Sequence, residues 1–554
     1  MLPLLSLITF VPLVLGGVVC FALPAKQVKY GALAVMLLDL LLVLYAACGA
    51  GFDWSGGYTA DASIYGSAVQ TTFQLREQFA WIPDFSISYV VGADNLSMIM
   101  VILAAVLGIF GVLCSWNSID HREKGFYFFL MVLQTGIMGT FLSLDMFLFY
   151  IFWELMLVPL YFLIGIWGSK NRIYATMKFV LYTLVGSVLM LIAVIWMYYN
   201  NGAYNPAMNA FQYVRTYSYE VMLATQAGSG ASFHAHIFPF LALFLAFAIK
   251  VPLFPLHTWL PDAHTEAPTA GSVILAGILL KTGGYGMIRF CLPLFPDAAL
   301  DFAPMITWLS VIAIIYGAMT AIVQTDVKRL VAYSSVSHMG FVVLGIFSFN
   351  AQGMTGAILQ MVNHGISTSG LFLAVGMIYE RRHTRDMKEF GGLATTLPIY
   401  AALTMVMVLS SVGLPGLNGF LGEFNILLGS MKSQSILLQA QDEWTWAAAA
   451  NMTHYTWVVT AAAATGVIFG AVYLLIMYQR TFFGPLDEEK NGGLSDLSPR
   501  EWGQLGFLSV AALVIGLYPS PLFRVIRPAT DAALAPMAHV IAEATPQVAA
   551  VVEQ

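Results

Sequence analysis

The stretch Phe240–Ser272, FLALFLAFAIKVPLFPLHTWLPDAHTEAPTAGS, decides how the rest of the chain is read. It opens as an oily helix, places Lys250 at the end of that run, and then breaks at Pro252 and Pro255. The ten residues before the lysine are all apolar, so the segment looks like part of a bilayer span. A charge and a helix break inside such a span both cost free energy. Proline removes a backbone donor and clashes with the preceding turn, and unwound backbone at membrane depth is tolerated only when buried in protein or lining a wet cavity.

Working outward, the same oily character recurs from end to end. The chain has 554 residues, 59% of them hydrophobic and only 10% charged, with mean hydropathy +0.78. Soluble domains carry about a quarter charged residues, so a water-facing surface cannot be covered here. Apolar windows fall at 2–23, 28–50, 89–115, 126–142, 146–168, 173–200, 235–256, 268–292, 304–324, 327–348, 354–379, 395–430, 453–482 and 502–525. Each is near the roughly 20 residues that cross a bilayer as helix. The runs lack the two-residue alternation of a membrane β-barrel. The expected fold is an all-α polytopic membrane protein of about fourteen helices. The first window has no basic n-region or cleavage signature and reads as a retained span.

Topology follows from the basic residues. Of the 24 lysines and arginines, 16 fall on predicted inner loops and helix ends if the N-terminus lies outside. Five fall on outer segments, and Lys250, Lys281 and Arg289 lie within spans. This bias puts both termini on the non-cytoplasmic side. The long outer loops, 51–88 and 201–234, read as small caps. The tail after 528 shows only weak helical character.

A second window is interrupted like the first: SVGLPGLNGFLGEF is broken at Gly413, Pro415, Gly416 and Gly419, with Glu423 just beyond. The breaks lie in predicted helices 7 and 12. An offset of five helices reverses membrane orientation, so helices 4–8 and 9–13 read as two inverted five-helix repeats with discontinuous helices 7 and 12. Paired broken helices point to an ion site near the midplane. The implied division is 1–125 for helices 1–3 and the outer loop, 126–292 and 300–482 for the repeats, and 483–554 for helix 14 and the tail.

Six ionisable groups stand in oily surroundings: Glu154, Lys250, Lys281, His338, His364 and Glu423. Even on the lenient insertion scale a charge at the bilayer centre costs about 3 kcal/mol, so the set must be paired, hydrated or partly neutral. A single lysine near a helix end commonly snorkels, and a lone buried histidine commonly just completes a hydrogen bond. The set as a whole, with each group on its own span, is the composition of a proton relay. Burial makes an ammonium release its proton more readily, and a nearby carboxylate holds that proton on. Glu154 is the natural partner of Lys250. His338 and His364 would bridge to Glu423 through water, aided by Ser334, Ser335 and Ser337, and by Ser367 and Thr368 on the His364 face. His257, Asp262, His264 and Glu266 lack helical metal-ligand spacing and read as loop residues. Asp39 and Asp94 read as structural, and Cys20, Cys48, Cys114 and Cys291 as packing residues.

The segments FWELMLVPLYFLIGIWG, KVPLFPLHTWLPDAHTEAPTAGSVILAGILLKTGGYG, QTDVKRLVAYSSVSHMGF, HGISTSGLFLAVGMIYERRHTRDM and GLPGLNGFLGEF closely resemble the antiporter-like, proton-channel membrane subunits of respiratory complex I, the NADH–quinone oxidoreductase. The resemblance covers residues 1–525. It implies fourteen helices with two inverted repeats, and a subunit of the translocase that itself performs no redox step. In its roles, Glu154 and Lys250 form a coupled pair, Lys281 is the central proton carrier, His338 and His364 are relay groups, and Glu423 is the distal carrier. Sibling subunits carry lysine where this chain has Glu423. The loop near 51–80 and the tail after 528 depart from the family pattern. The resemblance further implies that NADH, flavin, iron–sulfur clusters and quinone are handled by other subunits, with no cofactor or metal bound by this chain. Its implied partners are neighbouring antiporter-like subunits on both sides, lipids and protons, with no nucleic acid, in the bacterial inner (plasma) membrane. The competing reading is an Mrp-type secondary cation/proton antiporter subunit, where related chains use the same Lys and Glu positions; a scaffold without transport is a further alternative.

Overall fold

A computed structural model describes residues 3–57, 59–64, 67–205, 210–226, 233–433 and 452–552. The chain is predominantly helical. The principal helices are α1 (Leu4–Ala22), α2 (Ala25–Gly49), α3 (Asn95–Cys114), α4 (Glu123–Leu142), α5 (Met146–Trp167), α6 (Arg172–Asn200), α7 (Phe233–Lys250), α8 (Trp259–Glu266), α9 (Thr269–Leu294), α10 (Pro296–Ile322), α11 (Val327–Ile346), α12 (Ala351–Arg382), α13 (Pro398–Val412), α14 (Asn418–Met431), α15 (Met452–Phe482), α16 (Pro499–Leu517) and α17 (Ser520–Val552). Among the described residues eleven helices are long and apolar enough to cross a membrane, or twelve if α16 and α17, bent by 78° at their junction, make one span. The apolar helices α7 and α13 are shorter, because each stops at one of the breaks seen in the sequence.

The apolar windows of α9 and α12 are buried throughout, whereas those of α1, α2, α6 and α15 are only 33–39% buried. Leu181, Val185 and Ile468 on those outer faces are each more than half exposed, as expected where lipid is the solvent. Several helix starts are fixed by side-chain caps. Asp326 accepts from the backbone N–H groups of Lys328 and Arg329 at the head of α11. Asn350 accepts from Gly353 N–H at the head of α12 and donates to Gly429 O on α14, which ties those two helices end to end. Such caps satisfy donors that have no partner within the helix.

Three features differ from the sequence expectation. Residues Ile87–Ala93 are a strand (β4), paired antiparallel with β3 (Gln74–Ile82), so the third span begins only at Asn95. Apolar residues here cover one side of a cap rather than entering lipid, and Asp94 stops the strand by capping α3 through Ser97 N–H. The loops 51–88 and 201–234 carry two further antiparallel strand pairs, Ala60–Ile64 with Ser67–Thr71, and Gly202–Asn205 with Ala210–Tyr213. The last window ends at Leu517 and turns sharply rather than running to 525. Beyond it, the tail is not weakly helical but forms one continuous helix, α17, packed across α3, α10, α12 and the end of α9. Asn95 Nδ2 donates to Val525 O and fastens this helix to the top of α3.

Candidate functional site

Lys250 is the final residue of α7, so it stands at a helix end rather than deep within one. Its side chain is nevertheless buried, with the ammonium 5.1 Å from the Trp153 ring centroid and 5.8 Å from that of Phe179. Aromatic faces attract cations and substitute in part for water. Glu154, adjacent to Trp153 on α5, is half-buried, and its Oε1 has no hydrogen-bond partner among the described residues. Among the described residues no ion pair joins the two groups inferred as a pair from sequence, and it is the Trp153 indole that lies over the ammonium.

Lys281 lies on α9, which departs from regular helix on either side of it, with π-helical turns at Leu275–Leu279 and Met287–Cys291. Such turns free backbone carbonyls and recur at functional sites. Lys281 Nζ donates to Ala276 O within this region. It also lies 2.6 Å from His364 Nδ1 on α12. The close meeting of the two helices depends on Gly365, where a Cβ would stand 3.0 Å from Gly277 O. A lysine ammonium can only donate, so His364 Nδ1 accepts. In a neutral ring Nε2 then carries the proton, and that nitrogen has no partner among the described residues. Thr368 Oγ1, one turn along the same face, is unpartnered too.

The other half of the site mirrors this. His338 on α11 places Nδ1 2.9 Å from Glu423 Oε1 on α14. Tyr473 on α15 stands 3.5 Å from His338 Nε2, and Gln360 Nε2 donates to the same carboxylate oxygen at 3.3 Å. The backbone break before α14 is what aims Glu423 inward. Gly413 closes α13 with φ +80°, a left-handed conformation suited to glycine, and a Cβ there would stand 3.0 Å from Glu423 Oε2. The His338 and His364 rings are 5.8 Å apart between centroids. All four side chains are buried.

Four of the six residues singled out in sequence thus converge as two hydrogen-bonded pairs across α9, α11, α12 and α14, and Glu154 and Lys250 belong to neither. Of the serines expected to assist around His338, Ser335 donates to Val331 O and Ser337 to Ile314 O, whereas Ser334, which also donates to Val331 O, meets Tyr473. Gln360 and Tyr473 were missed. Gln360 was findable, since it lies four residues before His364 and so on the same helix face. Tyr473 gives no such signal. The acids and histidines expected in a loop lie instead on the short helix α8 (Asp262, His264 and Glu266) or just before it (His257), and both ring nitrogens of His264 lack a hydrogen-bond partner among the described residues. Asp262 pairs with Lys178 at 2.7 Å, Glu266 accepts from Asn171 N–H, and His264 stacks on Phe372. Burial pushes the His257 imidazole down to about 4 and His264 well below its ordinary value, so both are neutral at pH 7. Asp39 is buried on α2 and accepts from Gln134 Nε2 at 3.2 Å.

Comparison with known proteins places this architecture. Residues 143–441 match the family model of the NADH:quinone oxidoreductase/Mrp antiporter transmembrane region. The chain is 40% identical to NADH-quinone oxidoreductase subunit M of Pseudomonas aeruginosa, over 94% of this chain and 95% of that protein. It is 41% identical to the subunit M of Escherichia coli K12, with the same coverages. Among solved structures, a chain of respiratory complex I from Thermus thermophilus with bound NADH is 29% identical, with TM-score 0.80, covering 96% of this chain and 99% of that one. A chain of the Mrp complex from Dietzia shares the fold, with TM-score 0.77 at 19% identity, over 98% of this chain and all of the other.

Proposed function

Because the chain belongs to the NADH-quinone oxidoreductase subunit M family, within the antiporter-like membrane subunits, we propose that it moves protons along the buried pairs Lys281–His364 and His338–Glu423 when NADH oxidation and quinone reduction in other subunits shift its charges. The observation that carries this reading is the polarity of the four groups. A proton leaving Lys281 enters His364 at Nδ1, and the ring releases its other proton from Nε2. The next imidazole accepts at Nε2, 3.5 Å from the Tyr473 hydroxyl, and passes a proton from Nδ1 to Glu423. The ring centroids are 5.8 Å apart, and the proton passes between the two imidazoles directly or through a water molecule. The first and last steps are transfers between hydrogen-bonded partners.

Glu154 and Lys250 act as the coupled switch: a carboxylate that approaches or withdraws makes the ammonium hold or release its proton. The finer architecture belongs to this reading. Counting the two broken windows and the bent α16–α17 pair as spans gives fourteen, arranged as repeats 126–292 and 300–482. Both termini then face away from the cytoplasm of a bacterial inner membrane, with the domain limits 1–125 and 483–554 flanking the repeats. Neighbouring antiporter-like subunits sit on both sides, and flavin, iron–sulfur clusters and quinone belong to other subunits. The Mrp likeness is one of fold, and the identities favour the redox-driven complex.

Lys281→Ala removes the central carrier. With the complex assembled to wild-type level in sealed vesicles, NADH-driven acidification should fall to a small fraction of wild type. Undiminished acidification would remove Lys281 from the path.

A further inference from the structure

Lys281 is followed on the same face of α9 by Tyr285 and Arg289, at intervals of four residues. The line leads from the central carrier toward the face that holds both chain ends. It is not left open. Arg289 is buried, and its Nη2 makes an ion pair of 2.6 Å with Asp94, the cap of α3. The same nitrogen donates to Ser97 Oγ at 3.3 Å, and Nε donates to Tyr285 Oη at 3.3 Å. The guanidinium is held between the rings of Phe73 and Tyr285, with centroids 5.0 and 5.2 Å from Cζ. Tyr285 Oη in turn donates to Phe141 O at 3.0 Å and meets Ser97 Oγ at 3.0 Å. Directly over this cluster is a small cavity of about 70 Å³, roofed by Ala529, Ala533 and Pro536 of α17. The opposite face of the molecule holds a far larger cavity of about 670 Å³, lined by Lys328, Glu380 and the loops around them.

We infer that Arg289, locked by Asp94, Ser97 and Tyr285, is an electrostatic barrier that stops protons from passing directly between Lys281 and the face carrying the chain ends. The inference rests on Lys281 as a proton carrier. An arginine suits the task because its guanidinium is charged at every accessible pH and does not release its proton. It cannot relay, and its fixed positive charge repels an approaching hydronium, as arginines do in water-selective pores. Buried pairing with Asp94 keeps the charge in place without leaving it uncompensated. A short-circuit at this point would let protons run back through the carrier without coupling. The barrier forces them along the lateral route through His364, His338 and Glu423.

The test is passive proton conductance of vesicles containing the assembled complex, driven by a valinomycin–potassium potential in the absence of NADH. Arg289→Gln removes the charge and leaves an amide donor on a shorter side chain. Arg289→Gln combined with Asp94→Asn avoids stranding a carboxylate, and serves if the single variant assembles poorly. Both should leak protons severalfold faster than wild type, and adding Lys281→Ala should return the leak to the wild-type level. An unchanged conductance in either assembled variant overturns the barrier, as does a leak that persists without Lys281. NADH-driven acidification by wild-type vesicles, measured in parallel, reports separately on whether the chain pumps at all.

Discussion

At Glu423 a single carboxylate oxygen accepts from both His338 and Gln360, while the second lies over Gly413. What that position needs is a group that binds and gives up a proton in an apolar setting, and either an acid or a base meets the need. Glu423→Lys should therefore retain much of the acidification driven by NADH, because a desolvated ammonium still titrates. Glu423→Ala should lose most of it. A structural role predicts the reverse order, since a lysine facing His338 reverses the charge whereas alanine only leaves a small void, so the ranking of the two variants at matched assembly decides between them. The six titratable groups themselves were legible in the sequence because each is an isolated charge in an oily run. Their pairing was legible only in part. Glu154 and Lys250 looked like a direct ion pair, but Trp153, next to Glu154 in sequence, takes the contact over the ammonium. Arg289 was visible as a span residue, but its partner Asp94 is 195 positions away, and nothing local connects them.

At the scale of the element, the breaks matter more than the spans. Gly413 ends α13 with φ +80° so that the chain can turn and present α14 with Glu423 facing inward. Gly413→Ala should cost about 1–2 kcal/mol for the left-handed conformation alone, with a further penalty as its Cβ, 3.0 Å from Glu423 Oε2, pushes the carboxylate aside. The expected outcome is a lower thermal midpoint of the purified complex together with reduced pumping. An unchanged midpoint would show that the turn is not strained by a side chain. Both breaks were readable from Pro and Gly punctuation. The strand at Ile87–Ala93 was not, because a short apolar run suits a half-buried strand as well as a helix start. The π-helical turns flanking Lys281 leave no local signature either, whereas the 78° bend after Leu517 does have one in Pro519 and Pro521, which lie inside the window read as a span to 525.

Over the whole molecule, burial is graded: the apolar windows of α9 and α12, which carry Lys281 and His364, are buried throughout, and the outermost helices face lipid. Apolar periodicity gave no hint of which helices were central, because a helix oily on all sides reads the same against lipid as against protein. Charge placement did, since ionisable groups in a membrane turn toward the interior. The interior holds two hydrogen-bonded pairs, Lys281–His364 and His338–Glu423, and the central requirement of the proposed relay is that Lys281 gives up its proton rather than merely standing as a positive charge. Lys281→Arg separates the two, because arginine preserves the charge and can still donate toward His364 but does not release its proton. The deciding measurement is the rate of NADH-driven proton uptake or release by sealed vesicles holding the assembled Lys281→Arg complex. We expect a small fraction of the wild-type rate, and a wild-type rate would show that Lys281 is only a fixed charge and that the proton path runs elsewhere.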